Sequence, residues 1–286
     1  MKHRRDFGDL PEEFTSRQGS SIAVIPVPFE RSSSWMKGSS RGPSAVIKAS
    51  ANMELYDIPT GTEAYKKGIY TAPDVTSDNP KDMIENLSLE VSRFIKEGKF
   101  VAVIGGEHTV SVGIARAMKE VFGSFSILHL DAHSDLREEY EGDRFSHACA
   151  VSRMREYTGD IVSAGIRSMD SSEVERLDKE RVFFARDIYN SDSWMDEIVE
   201  MLGENVFLNI DLDVLDPSQM PSTGTPEPGG LTWYDITALA EKVSASRNIA
   251  AVDAVELRPD RRNPAPDFLA AKLLYRVMSL KFAEID

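Results

Sequence analysis

Short, almost wholly apolar runs alternate along the chain with stretches in which apolar residues return every three or four positions. The runs at Ser21–Val27, Phe100–Ile104, Phe125–Leu128, Ile161–Ile166, Val182–Ala185, Val206–Ile210 and Ile249–Val255 read as buried strands, with a shorter one within Tyr65–Ala72. Ile84, Leu87, Val91, Phe94 and Ile95 share one helical face, opened by the cap Asn79-Pro80 and closed by Gly98. Further helices are expected from Gly42 to about Asn52, from about His108 to Phe122, and over His147–Tyr157, Ser171–Asp178, Asp192–Leu202, Thr232–Ser244 and Asp267–Leu280. Loops are expected at Pro28–Arg41, Arg137–Ser146 and Asp216–Gly230. This alternation predicts an α/β fold with a mostly parallel central sheet covered on both faces. No linker, repeat or low-complexity tract interrupts it, so one three-layer α/β/α domain over residues 1–286 is expected.

Composition narrows the partners rather than the fold. A net charge of −14 disfavours nucleic acid and anionic membrane and suits a small cationic substrate. A single cysteine, Cys149, allows no intrachain disulfide and fits a reducing cytoplasm. The basic N-terminus lacks the apolar core of a signal peptide, and no apolar stretch approaches the roughly 18–20 residues that span a bilayer. A cytoplasmic enzyme is therefore the expectation.

Chemistry gathers where strands end. The Phe125 run leads into Asp131, His133 and Asp135, at every second position. Side chains two apart on a strand share a face. The Val206 run ends in Asp211 and Asp213, and the Phe100 run is followed by Gly105-Gly106-Glu107-His108. In an open parallel sheet these carboxyl ends line one crevice. By the alternation His129 is placed opposite Asp131 and reads as a packed strand residue, while His3 reads as solvated. Six candidate metal ligands remain: His108, Asp131, His133, Asp135, Asp211 and Asp213. Four carboxylates and two imidazoles exceed what one catalytic zinc takes and suit two ions, with manganese favoured over zinc by the oxygen-rich set. Two such ions supply a hydroxide at neutral pH, so hydrolysis at carbon or phosphorus is the reaction class.

Three ordered motifs then carry a resemblance. Gly105-Gly106-Glu107-His108-Thr109, Asp131-Ala132-His133-Ser134-Asp135 and Asp211-Leu212-Asp213-Val214-Leu215-Asp216-Pro217 resemble the signatures of the ureohydrolases, the family of arginase and agmatinase. The likeness extends to Arg41-Gly42-Pro43, and it is most similar to agmatinases at Leu136–Gly142, before Ser146-His147, and at Ser222–Leu231. It implies an arginase-like fold, two Mn2+ ions, and assembly into trimers or hexamers. It implies that Asp131 and Asp211 bridge the ions, that His108 and Asp135 complete one shell, and that His133 and Asp213 complete the other. Asp135 would also take a proton from the nucleophilic water and pass it to the leaving amine. His147 matches a loop histidine that shuttles protons, its plainer alternative being a surface helix cap. Glu256 matches the acid that clamps the guanidinium, its alternative being a salt bridge with Arg258 or Arg167. The implied reaction is attack of a metal-bridging hydroxide on the guanidinium carbon, releasing urea and an amine.

Specificity is read from departures. Arginases place an Asn at the position of Arg137 to hold an amino-acid carboxylate; here Arg137 is followed by Glu138, Glu139 and Glu141. That argues for agmatine, cleaved to urea and putrescine in polyamine biosynthesis, ahead of aminopropyl-agmatine, guanidinobutyrate or arginine. Asp170 could meet a tail amine, or be a solvated loop acid. Glu107, where many members carry Asp, is a mild change expected not to matter, and Cys149 is expected to be a small buried hydrophobe. Two-metal phosphatases, single-zinc deacetylases and dinucleotide-binding enzymes lack matching residues here. A non-catalytic metal-binding homologue would usually have lost a ligand or Glu256, and none is lost.

Overall fold

The computed structural model describes residues 6–191 and 193–283. His3, expected to be solvated, and Asp192, expected to open a helix, lie outside the described residues. The strands are β1 (Ile22–Val27), β2 (Ile69–Thr71), β3 (Phe100–Gly105), β4 (Ser126–Leu130), β5 (Ile161–Ile166), β6 (Val182–Phe184), β7 (Asn205–Asp211) and β8 (Asn248–Val255). They form one sheet in the order β2-β1-β3-β8-β7-β4-β5-β6, and every pairing is parallel.

Helices cover both faces. They are α1 (Gly42–Ser50), α2 (Pro80–Lys96), α3 (Ser111–Phe122), α4 (Ala150–Met154), α5 (Ala185–Ile188), α6 (Trp194–Met201), α7 (Trp233–Ser246) and α8 (Ala265–Phe282). Successive strand residues point to opposite faces. Ile22 and Val24 of β1 accordingly join one core with residues of α1, α6, α7 and α8, while Ala23 and Ile25 join a second core with α2, α3 and α4. Burial on both sides is why the strands read as unbroken apolar runs rather than as alternating ones. Among the described residues no helix is long and apolar enough to cross a membrane.

The order of the central four strands positions the site. β3, β8, β7 and β4 lie side by side, so the segments after Gly105, Val255, Asp211 and Leu130 open onto one crevice. Register does the rest: Leu130 pairs with Ile210, and Ile210 with Ala254, which brings Asp131 level with Asp211.

Several helix expectations contract. His108–Val110 and His147–Cys149 are single 3-10 turns ahead of α3 and α4. The helix expected over Ser171–Asp178 is a 3-10 segment, Ser171–Arg176. There Glu173 folds back to accept from the Asp170 N–H, and its other oxygen accepts from Leu136 N–H at 2.7 Å. That side chain is spent on tying two loops together.

Candidate metal centre and pocket

Asp131 leaves β4, Asp211 ends β7, and the 3-10 turn Leu212–Val214 carries Asp213. Each uses one oxygen on a nearby backbone amide: Asp131 Oδ1 accepts from His133 N–H at 2.6 Å, Asp211 Oδ1 from Asp213 N–H at 2.9 Å, and Asp213 Oδ1 from Ala132 N–H at 3.1 Å. The Oδ2 atoms turn inward. His108 Nδ1 lies 3.1, 3.0 and 3.4 Å from Oδ2 of Asp131, Asp135 and Asp211. His133 Nδ1 lies 3.0 Å from Asp213 Oδ2 and 3.6 Å from Asp131 Oδ1. All six residues picked out by spacing converge, with Asp131 between two half-sites. Asp135 adopts φ 48° and Glu256 φ 65°, left-handed conformations uncommon for residues that carry a side chain.

The donor set fits divalent ions on one further observation. His108 Nδ1 is buried and has no hydrogen-bond partner, although three carboxylate oxygens surround it. Nε2 of the same ring bonds Asn209 Oδ1 at 3.0 Å, and an amide oxygen can only accept, so Nε2 carries the hydrogen. Nδ1 therefore presents its other valence to the carboxylates, as a ligating nitrogen does. Asn209 is in turn held by Asp253 Oδ1, 2.9 Å from Asn209 Nδ2, and by Ser111 Oγ at 3.0 Å.

Charge in the cluster is unevenly balanced. Burial opposes ionisation of Asp131, but hydrogen bonds from His108, His129 and His133 outweigh it and hold the carboxyl well below its ordinary range. Burial, reinforced by Asp213 and Asp131, pushes Asp211 well above it. Burial and the neighbouring Glu107 do the same to Glu256. For His133, burial alone would lower the value, yet Asp213 and Asp131 push it up to about 12. The pocket draws in positive charge: protons in the bare chain, or metal ions and a cationic substrate.

His129 departs from expectation. It is fully buried, as anticipated, but residues 129 and 131 share a face, and its Nε2 lies 2.9 Å from Asp131 Oδ2 with Nδ1 3.0 Å from Ser163 Oγ. It braces the shared carboxylate from below and stacks on His108, ring centroids 5.5 Å apart. Glu256 makes neither salt bridge weighed for it: its Oε1 accepts from His108 N–H at 2.8 Å. Arg258 Nε donates to Lys37 O at 3.2 Å. Arg167 donates to the carbonyls of Asp213 and Glu227 at 2.6 and 2.9 Å, tying the Pro/Gly loop to the site. Glu107 is fully buried, and its Oε2 accepts from Arg31 and Ser32 N–H at 2.8 and 2.7 Å. Gly106 permits this close approach, since a Cβ there would stand 2.0 Å from Phe29 O. Cys149 is buried as expected, with burial and Asp135 pushing its thiol up to about 12.

His147 and Glu256 line the same pocket as the cluster, with Ser34, Arg137, Tyr140, Asp170 and Thr225. At the rim Arg137 lies 3.5 Å from Asp170 Oδ2 and over the Tyr140 ring at 5.0 Å. Asp170 also caps the 3-10 segment through Ser172 N–H at 3.0 Å. Glu138 turns away to Arg153 and Arg176. Asn209 and Ser32 were not legible as site residues, because each acts through a contact distant in sequence, whereas His129 lies only two residues from the carboxylate it meets.

Comparison with known proteins agrees with this geometry. The profile of the Arginase family matches residues 20–279. An N(1)-aminopropylagmatine ureohydrolase of Synechocystis is 34% identical, over 93% of this chain and 91% of its own. An agmatinase of Pyrococcus horikoshii is 32% identical over 90% of both. The crystal structure of an agmatine ureohydrolase of Thermoplasma volcanium superposes with a TM-score of 0.88 at 29% identity, covering 98% of this chain and 95% of that one. With the all-parallel sheet and the three motifs in register at its carboxyl edge, the chain belongs to the arginase family of ureohydrolases.

Proposed function

We propose that the protein hydrolyses a guanidine with a cationic alkylamine tail, agmatine or N(1)-aminopropylagmatine, to urea and the corresponding amine. The observation that carries this reading is the convergence of four carboxylates and two imidazoles, all but the fully buried Asp131 lining one pocket with Glu256. We assign His108, Asp131, His133, Asp135, Asp211 and Asp213 as ligands of two Mn2+ ions. Bound there, the ions supply a nucleophile from water at neutral pH and neutralise the carboxylates.

The chain's own groups do the rest. Glu256 faces the cluster from the end of β8 and binds the planar guanidinium by charge-assisted hydrogen bonds, which fixes the carbon's orientation. An Asp135 oxygen accepts the proton that the nucleophile loses and passes it to the departing nitrogen as its bond to carbon breaks. Nε2 of His147 gives the amine the further proton with which it leaves as an ammonium. The tail runs out past Asp170, whose carboxylate attracts an amine. Arg137 is already paired with Asp170 and stacked on Tyr140, so it offers little to a substrate carboxylate. Relatives named N(1)-aminopropylagmatine ureohydrolase, at 34–36% identity, support the longer tail alongside agmatine.

The test is urea release by the manganese-loaded protein from agmatine, N(1)-aminopropylagmatine, guanidinobutyrate and arginine, side by side. The two amine-tailed guanidines are expected to lead. Preference for arginine overturns the specificity reading and keeps the chemistry. No urea from any of them, with metal bound, points to a non-catalytic homologue.

A further inference from the structure

The geometry points to Ser32 as the residue that positions His147 for proton transfer; the kinetic part of this inference rests on the role proposed above for His147. Ser32 sits in the polar loop between β1 and α1, far from the three motifs in sequence. Its Oγ accepts the backbone N–H of His147 at 2.8 Å and lies 3.2 Å from Nδ1 of the same residue. A histidine that gives its proton from Nε2 keeps its remaining hydrogen on Nδ1, and in the neutral ring that Nδ1–H donates to the second lone pair of Ser32 Oγ. In the imidazolium the same Nδ1–H···Oγ bond persists. One hydroxyl thus serves both protonation states without turning the ring, and Nε2 is the nitrogen left to face the pocket.

The surroundings agree with that assignment. Ser146 Oγ stands further from Nδ1, at 3.4 Å, and Ser34 Oγ is 3.5 Å from Nε2 on the pocket side. The Tyr140 ring meets the imidazole edge-on at 6.2 Å, which limits its swing. The charged groups that share the pocket wall with His147 are Arg137, Asp135, Asp170 and Glu173, together with the metal cluster and Glu256. The loop that presents Ser32 is fixed at both ends by carboxylates. Buried Glu107 takes the N–H groups of Arg31 and Ser32, and Glu30 takes those of Gly38 and Ser40. A side chain held this way, touching the histidine at both backbone and ring, orients a proton donor rather than filling space.

Two measurements decide it. In histidine-labelled protein loaded with a diamagnetic divalent ion, the 15N resonances of His147 are expected to report a protonated Nδ1 and a bare Nε2 in the neutral ring. Ser32→Ala should shift the ring toward a mixture of tautomers, and Ser32→Thr should restore the single one. A neutral His147 protonated on Nε2 in the wild type overturns the assignment. In kinetics, Ser32→Ala is expected to lower kcat about tenfold with KM within about twofold, and to have no further effect in a His147→Ala background. An equal loss in both backgrounds means that Ser32 acts through loop structure alone, and overturns the inference. Wild-type protein that releases no urea overturns the functional reading instead, while the tautomer still decides the Ser32 contact.

Discussion

Asn209 Oδ1 accepts the Nε2 hydrogen of His108 at 3.0 Å, and that bond decides which nitrogen of the imidazole faces the carboxylates. Both residues are buried, on β7 and after β3, so neither partner has water as an alternative. Asn209→Leu strands the His108 Nε2–H, while both oxygens of Asp253 keep a partner in Ile210 N–H and Ser111 Oγ. Removing a partner of this kind typically costs about 1–3 kcal/mol of stability. Metal affinity should fall by about 10- to 100-fold, as for other groups that orient a ligand histidine. Manganese titration and a thermal melt on the same preparation check both.

Metal binding should release protons. Asp213 and Asp131 push the His133 value up to about 12 from an ordinary 6.5, and His108 is also raised well above 6.5. Across the neutral range both rings are therefore protonated in the metal-free chain and must lose those protons to ligate. Calorimetry in two buffers of different ionisation enthalpy should find at least one proton released per site at pH 7, with affinity rising as pH rises. The folded metal-free chain also holds more protons than the unfolded one between 6.5 and about 12, so its stability should fall with rising pH through that window. Added metal should cancel the decline.

Glu256→Gln separates substrate binding from metal binding. The amide can still accept from His108 N–H, so the fold and metal content should hold. What is lost is the charge opposite the guanidinium, where a charge-assisted bond is worth about 1.5–3 kcal/mol, hence a fall in kcat/KM of roughly 10- to 150-fold. Loss of metal along with activity would assign Glu256 to the cluster instead.

Asp170→Asn probes the tail. The carboxylate sits at the rim, is partly exposed, and is already shared with Arg137, so the effect should be small. KM for amine-tailed guanidines should rise by no more than about fivefold, the scale of an exposed ion pair, while KM for guanidinobutyrate stays level or falls. An equal rise for both substrates would place the tail elsewhere.

A stability prediction falls outside the pocket. Arg276 of α8 pairs with Asp57, both nearly fully buried, and extends to Glu241. Asp57→Ala leaves a guanidinium buried with one of its partners gone, which for buried pairs costs about 3–5 kcal/mol. Urea denaturation should register that loss, while turnover per folded molecule stays unchanged.

The strands and the first six site residues could be read locally because each signal is local. An apolar run of strand length is hydrophobic on both faces only in a covered sheet, and Asp131, His133 and Asp135 stand at strand ends where spacing alone sets their direction. His129 departs from the local expectation because residues 129 and 131, two apart on one strand, share a face, so the histidine meets the carboxylate rather than turning away from it. The 3-10 segment Ser171–Arg176 is shorter than the expected helix, and nothing local reveals that Glu173 is engaged by Leu136. What the chain order could not supply is adjacency between strands. The sheet order sets β3 beside β8 and β7 beside β4, and only that arrangement brings Asn209 under His108, Glu256 against the cluster and Ser32 onto His147. Sequence determines which groups can ligate or carry a proton; contacts across more than a hundred residues decide which nitrogen, and which oxygen, is left free to do so.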